Sequence, residues 1–197
     1  KAAGRSLACQ VVTFASRVTT DDTFLRRYDI SDDDRLRSMI DIERIGENSY
    51  LSIAGWGVQT LRPGDIQGQQ PIALPAIDYR RRFDDLLCGE LQLELNSLSI
   101  LRTAGQDTQR AFASLQWDLR KLTSMGQLIT LTGYLRGDVY HTDDIDQTAT
   151  VSYRGQDGWQ KRGIAAMAVD VSWPFVGALA GGTQTITPRV QVVASPH

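Results

Sequence analysis

Several features that would mark a common class of protein are scarce or missing in this chain of 197 residues. The two cysteines, Cys9 and Cys88, are too few for a disulfide framework and lack the spacing of zinc ligands. Each is therefore expected to be a buried or incidental thiol. The formal net charge of -2 gives no general attraction to nucleic acid. No apolar run approaches the roughly 18 residues that a membrane-spanning helix requires.

Targeting and catalytic motifs are missing as well. The N-terminus, KAAGRSLACQ, lacks the apolar core of a signal peptide, so targeting information is expected to be absent or removed. The sequence has no Gly-x-Ser-x-Gly elbow, phosphate-binding loop or dinucleotide fingerprint. Glycosidases use paired acids, but the neighbours in Asp21-Asp22 and Asp32-Asp33-Asp34 diverge and are interpreted as solvated loop residues. We therefore predict no enzyme activity, no catalytic residue, no cofactor and no metal site. A carboxylate-based glycosidase, which needs two convergent acids about 5–10 Å apart, stays open as an alternative.

A few polar and aromatic residues have more than one interpretation. His141 is interpreted as a solvated loop residue beside Thr142, Asp143 and Asp144. The basic run at residues 80–82 suits anion contact, a salt-bridged lining or a water interface. Four tryptophans suit either the interfacial girdles of a membrane protein or an ordinary core: Trp56, Trp117, Trp159 and Trp173.

What the sequence does contain is apolar and polar alternation of period two, which predicts β-strands. In residues 128–141 one parity carries Ile129, Leu131, Leu135 and Val139, and the other carries Thr130, Thr132, Arg136 and Asp138. In residues 110–121 the same pattern sets Leu115 and Trp117 opposite Gln116, Asp118 and Arg120. The short TSMGQ segment between these two runs predicts an antiparallel hairpin.

Residues 88–100 are ambiguous by themselves, because their leucines fit a helical stripe as well as a strand. The surrounding pattern decides for a strand, since no segment gives a firm helical signal. The prediction is all-β, an antiparallel up-and-down meander of about ten strands. The strands are expected in residues 10–18, 35–45, 50–61, 76–83, 88–100, 110–121, 128–141, 149–155, 163–173 and 187–195.

These predicted strands are long, and their connections alternate between short turns and longer polar loops. Such a pattern is typical of an outer-membrane β-barrel, although a soluble β-sandwich binding module also alternates and stays open as an alternative. In the barrel interpretation the polar side chains face a lumen and the apolar ones face lipid. The candidate lumen-facing residues are Thr130, Thr132, Arg136, Asp138, Gln116, Asp118 and Arg120.

Six stretches, taken in order along the chain, resemble one family. They are TTDDTFLRRYDI at 19–30, SYLSIAGWGVQTL at 49–61, PIALPAIDYRRRF at 71–83, GELQLELNSLSILRTAGQDTQRAF at 89–112, GDVYHTDD, and TQTITPRVQVVASP. Together they are similar to the C-terminal barrel of the lipopolysaccharide-assembly protein LptD, also called organic solvent tolerance protein, of the alphaproteobacterial type. The resemblance covers nearly the whole chain.

The resemblance implies that residues 1–197 are an internal segment of that barrel, in the cell outer membrane. It implies transport of lipopolysaccharide into the outer leaflet, without covalent chemistry. The implied partners are outer-membrane lipids, an LptE-like plug lipoprotein, and a periplasmic LptA-like bridge that acts through an N-terminal domain missing here. The family's lateral gate and its rearranging cysteines lie outside the matching region, so no residue of this chain is assigned to them.

Overall fold

The computed structural model describes residues 9–148, 150–179 and 181–196, and most of these residues lie in β-strands. The predicted absence of a signal-peptide core falls on residues 1–8, outside the described residues. Eleven strands follow one another in the described chain: β1 (Cys9–Ala15), β2 (Arg35–Ile45), β3 (Ser49–Thr60), β4 (Ile72–Leu86), β5 (Gly89–Leu101), β6 (Asp107–Leu122), β7 (Leu128–Asp143), β8 (Gly158–Ser172), β9 (Phe175–Leu179), β10 (Gly182–Ile186) and β11 (Arg189–Ala194).

Nine strands form one sheet in the order β1-β2-β3-β4-β5-β6-β7-β8-β11, and β9 pairs with β10 in a separate two-stranded sheet. From β1 to β8, neighbours in sequence are neighbours in the sheet, which confirms the predicted all-β antiparallel meander. Within the described residues, strands β1 and β11 are the edges of the larger sheet, which is open there. An open meander of this kind is consistent with part of a barrel.

The register of β2 and β3 shows how the sequence alternation becomes two chemically different faces. Glu43 lies opposite Ser52, and Ile42 lies opposite Ile53. Opposed residues project to the same side of a sheet and successive residues to opposite sides. One face of this pair is therefore polar and the other apolar.

Helical structure in the described residues is limited to short segments. One α-helix, α1, comprises Phe24–Arg27, and single 3-10 turns comprise Gln67–Gln69, Ile145–Gln147 and Val151–Tyr153. None of the described helices combines the length and the apolar character that crossing a membrane would need.

The structure corrects the prediction of a strand over residues 149–155. Val151–Tyr153 form a 3-10 turn in which the Tyr153 N–H donates to the Thr150 carbonyl at 3.0 Å. The β-branched and aromatic residues there favour a strand locally, but they alternate over too few positions to define an apolar face. Ala149, at the start of that prediction, lies outside the described residues.

A second difference is the hairpin formed by β9 and β10, which the sequence did not predict. Its register runs from Phe175 opposite Ile186 to Leu179 opposite Gly182. Gly181 has a φ of 78°, a left-handed conformation that favours glycine. The glycines and alanines in residues 177–182 weaken the strand signal, so the sequence pattern does not predict the hairpin.

The chain divides into two compact units, which are described separately below. Unit 1 comprises the chain up to residue 80 together with residues 95–112 and 138–161. Unit 2 comprises residues 81–94, 113–137 and the chain from residue 162 onward. Each of the strands β4 to β8 contributes residues to both units.

Candidate functional site

In unit 2, three of the predicted lumen-facing residues meet around one carboxylate on β6 and β7. The Thr132 hydroxyl donates to Asp118 Oδ1 at 2.5 Å, and Gln116 Nε2 donates to Asp118 Oδ2 at 2.8 Å. Both carboxylate oxygens are thus occupied by neutral donors. The three side chains are partly buried and form hydrogen bonds with one another within the sheet, as expected for a polar lining.

The other four predicted residues lie on the same strands in different environments. Asp138 is almost fully buried, with 2% of its surface exposed, and it accepts a hydrogen bond from the Tyr140 hydroxyl at 3.4 Å. Thr130 and Arg136 are half-buried, and Arg120 is exposed. The side chains therefore differ in exposure, and a common lumen for all seven stays a prediction.

Unit 2 contains two further polar groups whose residues were not among the predicted sites. Arg189 Nε lies 2.6 Å from Asp170 Oδ2, and the Asp170 carboxylate is nearly buried. Arg82 Nε lies 3.3 Å from Asp84 Oδ1 and 3.9 Å from Glu90 Oε1. Arg82 and Asp84 are two residues apart on β4 and share a face by alternation, whereas strand pairing brings Arg82 to Glu90 and Arg189 to Asp170, and a single sequence does not show that pairing.

In unit 1 the polar face of β2 to β4 repeats this arrangement. The Tyr50 hydroxyl donates to Glu43 Oε1 at 2.7 Å, and the Ser52 hydroxyl donates to Asp41 Oδ1 at 3.0 Å. On β4, Arg80 donates two hydrogen bonds to Asp78, at 3.1 and 2.7 Å. Arg80 is therefore salt-bridged, and the three interpretations of the basic run stay predictions.

The polar face does not resemble a metal or catalytic centre. Within the described residues, no group of three or more His, Cys, Asp or Glu side chains is placed to hold a metal ion. Every buried side-chain nitrogen and oxygen in the same part of the chain has a hydrogen-bond partner. The carboxylates named above are each bound to a donor, an arrangement that supports the sheet and offers a hydrated surface.

The distribution of burial is inverted relative to a soluble protein. Buried polar residues outnumber buried apolar ones among the described side chains: Thr60, Ser114, Asp138, Thr142 and Asp170 against Leu36, Leu61 and Ala73. Large apolar side chains are widely exposed, including Leu135 on β7 at 57% and Met167 on β8 at 73%. Soluble proteins bury such residues and expose the polar ones. The apolar face is thus suited to contact a nonaqueous phase.

A groove with a volume of about 680 Å³ lies in unit 2 and is almost wholly apolar. The groove lies between large side chains, where the neighbouring residues have small side chains or, at Gly133, none. The residues that line the groove include Leu115, Trp117, Leu135, Ala165, Met167 and Pro196.

In unit 1, hydrogen bonds join each long connection to the next. An ion pair links Asp34, before β2, to Arg62, after β3. The Ala104 N–H donates to the Gly68 carbonyl at 2.9 Å, which joins the β3–β4 and β5–β6 connections. The Thr148 hydroxyl donates to Gln106 Oε1 at 2.7 Å, which joins the β5–β6 and β7–β8 connections. We call this arrangement the loop chain.

Arg62 also changes the acidity of its partner in the loop chain. The hydrogen bond from the Arg62 guanidinium holds the pKa of the Asp34 carboxyl below its ordinary value of 3.8. The acidic run around Asp34 is therefore structural at this position, in a connection outside the strands.

One interpretation of a single residue is corrected by the structure. His141 belongs to β7 and not to a loop: its ring packs against Trp159 with centroids 4.4 Å apart, and Nδ1 lies 3.2 Å from Asp143 Oδ2. Cys88 is a free, exposed thiol, which agrees with an incidental thiol and not with a buried one. The side chain of Cys9 lies outside the described part of the structure, and its state stays a prediction.

Comparison with protein families gives a match that covers nearly the whole chain. The family model described as LptD, LPS transport system D, matches residues 12–197. The chain belongs to the LptD family. A comparison with curated proteins gives no match.

Membership in the LptD family confirms the function that the sequence motifs predicted, a role in lipopolysaccharide transport to the outer membrane. LptD proteins are outer-membrane proteins that act in the transport and assembly of lipopolysaccharide, and they are not a known enzyme family. A strand-rich chain with an exposed apolar face agrees with that location. Nothing in the fold or the comparisons favours the soluble β-sandwich alternative.

Proposed function

We propose that residues 1–197 are an internal segment of the transmembrane barrel of a longer LptD protein, of the alphaproteobacterial type, which inserts lipopolysaccharide into the outer leaflet. In this proposal the apolar face contacts lipid. The seven residues Thr130, Thr132, Arg136, Asp138, Gln116, Asp118 and Arg120 face a hydrated lumen. The observation that carries it is the inverted burial, with Asp138 enclosed while Leu135 on the same strand is exposed.

The chemistry of lipopolysaccharide explains why two such faces are useful. The sugar and phosphate head must stay wet while the acyl chains stay in an apolar phase. A polar-lined barrel in a bilayer supplies both environments, because its backbone groups are paired between strands. The polar face carries both signs of charge, as in Asp78 with Arg80 and Asp170 with Arg189. Mixed charge suits a hydrated lining better than a selective anion pore.

We further propose the partners that this role requires. Lipopolysaccharide would arrive from a periplasmic LptA-like bridge through a domain N-terminal to this segment, and an LptE-like lipoprotein would plug the lumen. Passage through such a channel changes the surroundings of lipopolysaccharide and breaks no bond. Transport without catalysis is supported by carboxylates that are already bound to donors, such as Asp118 between Gln116 and Thr132.

A deletion in the full-length protein tests the function. Cells depleted of the wild-type protein would express either the full-length chain or a version lacking β6 and β7 (residues 107–143). We expect the deletion to lower lipopolysaccharide at the cell surface and to admit detergents and large antibiotics. Lipopolysaccharide from the cells, and lipopolysaccharide incubated with the purified full-length protein, should have unchanged mass.

The level of a second, unrelated outer-membrane barrel serves as the control for general damage to the envelope, and it should not change. Normal surface lipopolysaccharide in the deletion strain would contradict the proposed transport role. Cleavage of lipopolysaccharide by the purified protein would contradict transport without catalysis.

A further inference from the structure

Unit 2 exposes apolar side chains at the tips of its strand connections. Leu87 lies in the turn between β4 and β5, Leu122 and Met125 lie at the turn between β6 and β7, and Phe175 and Val176 begin the β9–β10 hairpin. All five are exposed, Leu87 at 78% and Val176 at 71%. We call these five residues the apolar rim.

Two tryptophans attach the connections of the rim to the sheet. Trp117 on β6 donates its indole N–H to the Leu86 carbonyl at 3.1 Å, beside the β4–β5 turn. Trp173, directly after β8, donates to the Met125 carbonyl at 3.0 Å, and its ring lies 4.9 Å from that of Phe175. Because both polar N–H groups are satisfied within the protein, the indoles can lie in an apolar environment at low cost.

The rim segments carry no charge, although charged residues flank them. Residues 86–89, 122–128 and 173–188 contain no Asp, Glu, Lys or Arg; Lys121 and Arg189 flank the last two segments, and Asp85 and Glu90 flank the first. The loop at residues 144–157 in unit 1 differs, since it carries both acidic and basic side chains. Apolar tips with tryptophan and flanking cations are the composition of protein surfaces at the boundary between lipid headgroups and acyl chains.

The rim also continues an apolar surface within unit 2. Trp117, which is bound to the β4–β5 turn, lines the apolar groove together with Leu135 and Met167. A lipid phase that covers the groove would therefore meet the tryptophan that holds this part of the rim. This continuity favours a lipid surface as the occupant over a separate protein partner.

We propose that the apolar rim inserts into the headgroup boundary of the membrane leaflet on the short-turn side of the barrel, so that the turns are themselves membrane-docking elements. The inference rests on the proposed barrel function and adds a lipid contact to connections that would otherwise lie in water. Each tip would place its apolar side chain just below the headgroups, with Lys121 available to lipid phosphates.

The test places a fluorescent label at single cysteines in the full-length protein, with its other cysteines replaced by serine. The labels at the rim are placed at Val176→Cys, at Met125→Cys and at the native Cys88, which directly follows the rim residue Leu87. Cys88 needs no substitution and keeps the test valid if the other variants fold poorly. Val151→Cys is the matched control, because Val151 is as exposed as Val176 (73% against 71%) but lies in the charged loop of unit 1. The protein is folded into phosphatidylethanolamine–phosphatidylglycerol liposomes, and quenching by aqueous iodide is compared with quenching by nitroxide-labelled lipid.

We expect the rim labels to be quenched several-fold more by nitroxide lipid than by iodide, and the Val151→Cys label to show the reverse. Rim labels quenched mainly by iodide would overturn the proposal, and rim labels shielded from both quenchers would replace it with a protein partner. A label at Leu135→Cys, on the apolar face of the sheet, distinguishes failure of the rim proposal from failure of the proposed membrane barrel. If Leu135→Cys is quenched by nitroxide lipid and the rim is not, the rim proposal alone fails. If neither is quenched by it, the membrane barrel fails as well.

Discussion

At the scale of single residues, the acidic run at Asp32–Asp34 has a specific structural use. Asp34 forms an ion pair with Arg62 across two connections, and its backbone carbonyl also accepts the Leu61 N–H at 2.8 Å. The neighbouring Asp33 differs, since its N–H binds the Ser31 hydroxyl at 3.0 Å within the same loop. One aspartate therefore joins two connections, while the next organises its own loop.

The Asp34–Arg62 pair predicts a pH dependence for the connection after β3. Since the hydrogen bond from Arg62 lowers the pKa of Asp34 in the folded state, the pair stabilises this connection fully at pH values above the unfolded pKa. That stabilisation is lost as pH falls through the lowered folded pKa. Hydrogen exchange of residues 61–66, corrected for intrinsic rates, should show more frequent opening below pH 3.8 than at pH 5–6.

Asp34→Asn should remove this dependence and leave the connection similarly open across the whole range. Asp33→Asn is the control, because it leaves the pair with Arg62 in place. Identical pH profiles in wild type and Asp34→Asn would show that the pair does not hold the connection.

At the scale of elements, strand β7 provides the clearest test of which face meets lipid. Leu135 and Thr130 are five residues apart and, by alternation, project to opposite faces. Arginine on a lipid face costs about 2–4 kcal/mol near the bilayer midplane and much less in a hydrated lumen. Leu135→Arg should therefore lower the free energy of unfolding of the full-length protein in liposomes by about that amount.

Thr130→Arg introduces the same side chain on the other face and should be tolerated within about 1 kcal/mol. Denaturant titration of the membrane-inserted protein measures both changes. Equal losses from the two variants, or a larger loss from Thr130→Arg, would mean that the faces are assigned the wrong way round.

Long alternating runs allowed the sequence to predict several elements nearly to the residue. The run 35–45 matches β2, and 128–141 matches β7 except for its last two residues. His141 was placed in a loop because Thr142, Asp143 and Asp144 follow it, but strand pairing continues through Asp143. When one face of a strand is polar, polar residues can interrupt the apolar pattern although the strand itself continues.

The candidate site was predictable in part for the same physical reason. Alternation assigned Gln116, Asp118 and Thr132 to one face of their strands, and the structure joins them by hydrogen bonds. A period of two residues assigns each side chain to one face of the sheet but does not identify its neighbours on other strands. Ion pairs between strands that are distant in sequence, such as Asp170 with Arg189, could therefore not be predicted.

At the scale of the whole molecule, the main feature is the nine-stranded sheet, in which β1 and β11 are the edge strands among the described residues. An edge strand presents free backbone N–H and C=O groups that readily pair with another chain. We predict that residues 9–196 expressed alone in detergent will associate into dimers or larger species. Light scattering after size exclusion should show this, whereas the full-length protein, in which further strands would pair these edges, should be a single barrel. A stable monomer of the isolated segment would contradict this prediction.

The close approach of the connections in the loop chain limits which residues can be substituted there. The bond from Ala104 to Gly68 uses only backbone atoms, so it does not depend on which side chains the two residues carry. Yet a Cβ at position 68 would lie 2.8 Å from Thr103 Oγ1 and 3.0 Å from Ala104 Cβ. The two loops approach so closely because residue 68 has no side chain. Exposed loops usually tolerate substitution, but here any larger residue in place of Gly68 would collide with the neighbouring loop. We therefore expect glycine to be retained at this position in related sequences.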